Sequence, residues 1–363
     1  MTTVNAKPVR ATRTHNPKSL REQLGEGWNT VFGLDLRSLA VFRIALGLLL
    51  LSDLIYRAGN LVEMYTSQGF YTREVSYDFY RTLYGPGWET VMWSVHWLSD
   101  SPRFQAAMFV AAGFFALLIV VGKWTRFATL ISWVLLVSLQ VRNPVILSSG
   151  DFLLKMMLFW SFFIPLGAVW SLDARRRRIL GRPAPDVGRR IVSTATAGLV
   201  IQLFAMYFFT GLSKWNEGWW TGEAMYHALG LEIYATDFGR QLLEFPLLLK
   251  FVSVATVFAE VFLVWTLFST RHTDGFRVLN MIVFWAFHLG IAMSMSIGLF
   301  PWICMVAWLP LVPSGFWNWM ARRNADQPVE PLDANRALRI GPIQQAFCGV
   351  MICFILIWNV ANI

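Results

Sequence analysis

Seven ionisable side chains stand inside long apolar stretches of this sequence: Arg43, Asp53, Asp151, Lys155, Lys214, Glu260 and His288. Such groups are costly in a hydrocarbon setting, face a protein interior, and are functional candidates by default. Lys214 closes the stretch from Tyr207 to Ser213, and Trp215 and Trp219 follow it. On a helix, Tyr207, Thr210 and Gly211 share its face, and Gly211 leaves room beside the ammonium group. Desolvation disfavours a charged lysine, so Lys214 can act there as a general base. The same spacing fits a lysine snorkelling at a helix end. His288 suits a proton shuttle or a donor to a carbonyl oxygen, and equally a packed core histidine. Arg43 and Glu260, near the middle of their stretches, suit pairing or bonding to backbone carbonyls. Asp151 follows Ser148-Ser149-Gly150 and fits a helix start. Lys155, four residues on, stands in the favourable order for an i,i+4 pair.

The elements that must position these groups follow from composition. Of the 363 residues 56% are hydrophobic and 15% charged, with mean hydropathy +0.48, whereas soluble proteins carry about 25% charged residues. A bilayer span needs about 20 mostly apolar residues. Spans are predicted near Leu36–Tyr56, Phe104–Val121, Trp124–Val141, Phe152–Trp170, Ile191–Leu212 and Phe245–Phe268. Three more fall near Val278–Ile297, Phe300–Val312 and Ala346–Asn362. The fold class is an all-α, polytopic helical bundle of eight or nine transmembrane helices. The eighth is short and bounded by Pro301, Pro310 and Pro313, a pattern for a broken or re-entrant span. The organisation is a basic arm (1–35), a transmembrane domain (36–315), a linker (316–345) and a last span (346–363).

Roughly two-thirds of the basic residues fall on alternate connections, including Lys123/Arg126, Arg175–Arg178 and Arg271/Arg277, which puts the N-terminus in the cytoplasm. The net charge of +9 is therefore membrane-facing surface, the lipid bilayer is the partner it addresses, and no nucleic acid is expected. The first 35 residues hold no early apolar stretch that reads as a cleavable signal. Cys304, Cys348 and Cys353 form no C-x-x-C pair, so neither a disulfide framework nor a metal site is expected. Two external segments are long. Arg57–Arg103 places Trp88, Val91, Met92, Val95 and Leu98 at helical spacing, as for an amphipathic helix on the membrane. Lys214–Glu244 carries Trp215, Trp219, Trp220, Tyr226 and Tyr234, which read mostly as an interfacial aromatic belt.

At Ser149-Gly150-Asp151, Phe159-Trp160, Pro165–Asp173, Tyr207–Lys214 with Trp219, and His288 followed by Ser296–Phe300, the chain resembles the vitamin K-dependent gamma-carboxylase family. The resemblance is to its bacterial form, the horizontally transferred transmembrane (HTTM) domain, and runs over about residues 30–315. It implies a bacterial cytoplasmic membrane protein with a reduced quinone of the vitamin K or menaquinol type as cofactor. Lys214 would be the base toward the quinol, His288 and Asp151 would shape the site, and Tyr207, Trp215 and Trp219 would line the cofactor. In the carboxylases the oxygenated quinol removes a peptide glutamate proton, and carbon dioxide adds. Here Asp151 stands where they have a histidine, Ser213 replaces a lysine, and no counterpart of their large lumenal domain is present. A second reading, like the sporulation-delaying protein B branch, is a non-enzymatic partner for maturation of a secreted peptide. A transporter would need inverted repeats, which the sequence lacks.

Overall fold

The computed structural model describes residues 19–182, 190–324 and 341–361. Most of the expected basic arm (Lys7, Arg10, Arg13, Lys18), Arg189 and most of the linker lie outside the described residues. The chain folds as helices: α1 (Leu20–Phe32), α2 (Leu36–Ala58), α3 (Leu61–Tyr65), α4 (Arg73–Tyr84), α5 (Pro102–Val121), α6 (Thr125–Arg142), α7 (Ser149–Phe163) and α8 (Leu172–Ile179). After α9 (Thr194–Ser213) come α10 (Glu217–Thr221), α11 (Glu223–Gly230), α12 (Asp237–Gln241), α13 (Pro246–Val261), α14 (Thr273–Ser294), α15 (Phe300–Ala307), α16 (Ser314–Asn324) and α17 (Pro342–Ala361). Two short strands, β1 (Leu34–Asp35) and β2 (Arg190–Ile191), pair antiparallel and tie the entries of α2 and α9 together.

Local sequence explains the starts and stops. Ser101 caps α5 with Pro102 in its first turn, and Gly122 closes it in the left-handed conformation. A capping box of Ser148 and Asp151 opens α7, and Ser193 with Thr196 opens α9. These satisfy amide groups that a helix start leaves unpaired. Helix α2 packs along α5, α9 along α13 and α17, and α7 against α9 and α15. Trp160, Trp308, Tyr207, Phe42 and Phe284 are fully buried at the centre.

Among the described residues six helices are long and apolar enough to cross a membrane: α2, α5, α9, the stretch Pro246–Phe268, α14 and α17. The pair Phe300–Leu311 and Ser314–Ala321, bent by 77°, raises the count to seven, where the sequence predicts a broken eighth span. The nine predicted spans are not all matched. Helix α6 carries Arg126, Gln140 and Arg142 among its 18 residues, and α7 has only 15, so neither meets the length and hydropathy of a free-standing span.

Two further expectations are corrected. Residues 88–98 do not form an amphipathic helix but two short 3-10 turns, Trp88–Thr90 and Val95–Trp97. The backbone there is held by Ser138, whose Oγ accepts the Val95 N–H at 2.7 Å while Ser94 Oγ donates to its carbonyl at 2.7 Å. The amphipathic helix of that segment is α4. Arg277 is not surface charge: it is buried and donates to the Val31 and Gly33 carbonyls at 2.7 and 3.1 Å.

Candidate functional site

Helices α9, α13 and α14 converge on one polar centre. Gly211 brings α9 against α13, because a Cβ there would lie 2.8 Å from that of Glu260. That approach lets Lys214 Nζ donate to both Glu260 carboxylate oxygens, at 2.7 and 2.6 Å. Lys214 is half-buried and Glu260 buried. The ammonium also lies 5.1 Å from the centre of the Trp219 ring, a cation–π distance.

A second polar centre joins α9, α14 and α15. Trp308 Nε1 donates to the Tyr207 hydroxyl at 3.0 Å, and that hydroxyl lies 2.8 Å from His288 Nε2. With the Tyr207 proton directed at Nε2, which gives that buried hydroxyl an acceptor, the imidazole proton sits on Nδ1. His288 is 1% exposed and its Nδ1 has no hydrogen-bond partner. A buried polar atom without a partner costs about 1–3 kcal/mol.

Both centres line a cavity of about 580 Å³, within the range of small-molecule sites. Its remaining walls include Met206, Phe287, Phe300 and Cys304. The segment between α9 and α13 roofs it: Met225 and Leu229 of α11 and Phe238 of α12 line the cavity. This roof is fastened to the end of α14, with Thr236 N–H donating to the Ser294 carbonyl at 3.0 Å and Ser296 N–H to the Tyr234 carbonyl at 2.6 Å. Part of the aromatic segment read as an interfacial belt is therefore a folded cap.

Lys214, His288, Tyr207 and Trp219 thus meet at one cavity, joined by Glu260, which the sequence placed among the structural polar groups. The small residue three positions before Lys214 was the signal for a close helix neighbour. Trp308 was missed, and only its being a buried indole in need of an acceptor could have pointed to it. Trp215 does not line the cavity; it is half exposed and packs edge-on against Trp220 at 4.8 Å between ring centres.

Asp151 belongs to another buried cluster. Arg57 Nε donates to both Asp53 oxygens at 2.9 Å, Nη2 to Asp151 Oδ1, and Nη1 to the Tyr65 hydroxyl at 3.3 Å. The other Asp151 oxygen accepts Ser148 N–H and Oγ–H at 2.7 and 2.9 Å. The predicted Asp151–Lys155 pair gives way to this stronger guanidinium contact, and Lys155 Nζ lies 4.7 Å from the Phe152 ring centre. Arg43 donates to the Ile119, Val120 and Trp170 carbonyls, tying α2 to the end of α5. Among the described residues no group of three or more His, Cys, Asp and Glu is placed to hold a metal ion.

No curated protein and no solved structure matches the chain. A family model described as the HTTM domain matches residues 33–317, which contain every group of the cavity named above. The chain therefore belongs to the HTTM domain family, as an all-α integral membrane protein.

Proposed function

We propose that this HTTM protein is an enzyme of the bacterial cytoplasmic membrane, with a cytoplasmic N-terminus, that uses a reduced quinone in the cavity beneath its external cap. The observation that carries this reading is the convergence on one apolar cavity of the Lys214–Glu260 ion pair and of His288, whose buried Nδ1 has no partner. A quinol fits that donor set: its rings and isoprenoid suit walls of Met, Phe and Leu, and its oxygens suit one N–H donor and one base. When bound it would supply an acidic phenolic hydroxyl and two-electron redox chemistry.

The chain's own residues do the rest. Lys214 Nζ passes a proton to Glu260 Oε, and the free amine takes the hydroxyl proton of the bound substrate. His288 Nδ1–H holds a substrate oxygen, and Trp308 and Tyr207 keep the imidazole in the donating tautomer. The cap residues Met225, Leu229 and Phe238 exclude water. An oxygenase or carboxylase-like lyase reaction is the class this arrangement serves.

Purification from a menaquinone-containing membrane should return the protein with a quinone detectable by mass spectrometry. General-base catalysis contributes about 10²–10⁴-fold, so Lys214→Ala should lower menaquinol oxidation by at least about 10²-fold. Oxidation by Lys214→Ala at the wild-type rate would remove the reading. A non-enzymatic role as partner of a secreted peptide is supported by the exposed Tyr226, Ile233 and Tyr234 on the cap. Recovery in an obligate complex, with no quinol turnover, would select that role.

A further inference from the structure

We infer that the end of the bundle opposite the cap carries a groove for the headgroup of an anionic phospholipid. The groove encloses about 720 Å³ between the start of α6, the turn 165–168 and helix α8, and its walls include Trp124, Arg126, Phe127, Leu166 and Arg177. It lies where α5 turns into α6 through Gly122 and where α7 runs out into α8, at the polar ends of bundle helices.

The charge in the groove is positive. Its one acid, Asp173, spends both oxygens on the start of α6, accepting Trp124 N–H at 2.9 Å, Thr125 N–H at 2.9 Å and Thr125 Oγ–H at 2.8 Å. Arg177 Nη2 is fastened to the Gly167 and Ala168 carbonyls at 2.8 and 3.0 Å, which fixes the guanidinium at the wall. Arg126 is exposed and has no acidic partner among the described residues, and Lys123 is exposed with its Nζ 4.8 Å from the Trp124 ring centre.

The apolar side of the same groove decides the ligand. Trp124 takes a left-handed backbone conformation, φ 50°, which is unusual for a bulky residue. This presents a half-exposed indole beside the cations. Phe127, one residue past Arg126, is also exposed. An indole with cations next to an apolar wall matches a phosphodiester joined to acyl chains at the membrane interface, whereas a free anion makes no use of Trp124 and Phe127.

Full-length protein in detergent micelles should retain dioctanoyl phosphatidylglycerol in native mass spectrometry in preference to dioctanoyl phosphatidylcholine. Equimolar inorganic phosphate should not displace it. One exposed cation near an anionic lipid corresponds to about five-fold in affinity. Arg126→Gln should weaken phosphatidylglycerol binding by that factor, and Lys123→Gln with Arg126→Gln by about 25-fold. Both side chains are solvent-facing, and circular dichroism checks that the variants fold. Equal retention of the two lipids, displacement by inorganic phosphate, or undiminished binding by the folded double variant would each overturn the inference.

Discussion

Replacing Tyr207 by Phe removes one oxygen and almost no volume, and it severs the link between α9, α14 and the end of α15. The ring would keep its packing on Phe284, whose centre is 4.0 Å away, and on Trp308 at 5.5 Å. What is lost is the acceptor for Trp308 Nε1 and the donor to His288 Nε2, on side chains that are 0% and 1% exposed. Each buried polar group left without a partner costs about 1–3 kcal/mol, so the variant should lose about 2–6 kcal/mol. Equilibrium unfolding in mixed micelles, followed by tryptophan fluorescence, measures this. In a Trp308→Phe background the indole donor is gone and only the His288 penalty can arise, so Tyr207→Phe should cost only about 1–3 kcal/mol there. Nitrogen NMR of His288 gives a second readout: without the Tyr207 donor, Nε2 is free to carry the proton and the Nδ1–H tautomer loses its dominance. A loss below about 0.5 kcal/mol, ordinary for an inconsequential surface change, together with unchanged His288 nitrogen shifts, would refute the relay.

Glu260→Ala leaves the half-buried Lys214 ammonium without its counter-ion and should destabilise by about 3–5 kcal/mol, while Lys214→Met with Glu260→Leu restores most of that loss in thermal unfolding. Failure of the double variant to recover stability would show that the pair's charge is not what the single change exposes. His96, buried in the connection before α5, donates from Nδ1 to Gln105 at 2.6 Å, and burial, aided by the charge of Arg142, pushes its imidazolium down to about 4. The folded chain therefore binds the proton less well than the unfolded one, whose histidine titrates near 6.5. Stability should be full above about pH 6.5 and fall by about 3 kcal/mol as pH drops toward 4. A His96→Gln variant should show a flatter profile over that window, measured by unfolding at stepped pH.

How far these features were legible depended on whether they were local in the chain. The helix start around Ser148 and Asp151, the membrane class and the Lys214 face follow from runs and spacings of a few residues. The span count did not, because α6 and α7 are short or polar helices whose stability comes from neighbours on both sides. The Trp88–Leu98 spacing pointed to a helix, yet hydrogen bonds to Ser138, more than 40 residues away, redirect that backbone. Partners distant in sequence were the hardest to see: Glu260 for Lys214, Trp308 for Tyr207, and Arg57 for Asp151. The Asp53–Arg57 pair had the readable i,i+4 spacing and still hid its third member.

That third member bears on the order in which the chain can be assembled. When α2 enters the bilayer, Arg57 and Asp53 already form a neutral pair within one helix turn. Those two charges are therefore matched within α2 itself. Asp151 is synthesised 94 residues later, carried in by a 15-residue helix that has little apolar length of its own. Its carboxylate finds the Arg57 guanidinium only once α7 docks against the preceding helices. The contact thus ties α2 to α7, two helices that are separate until both have been made.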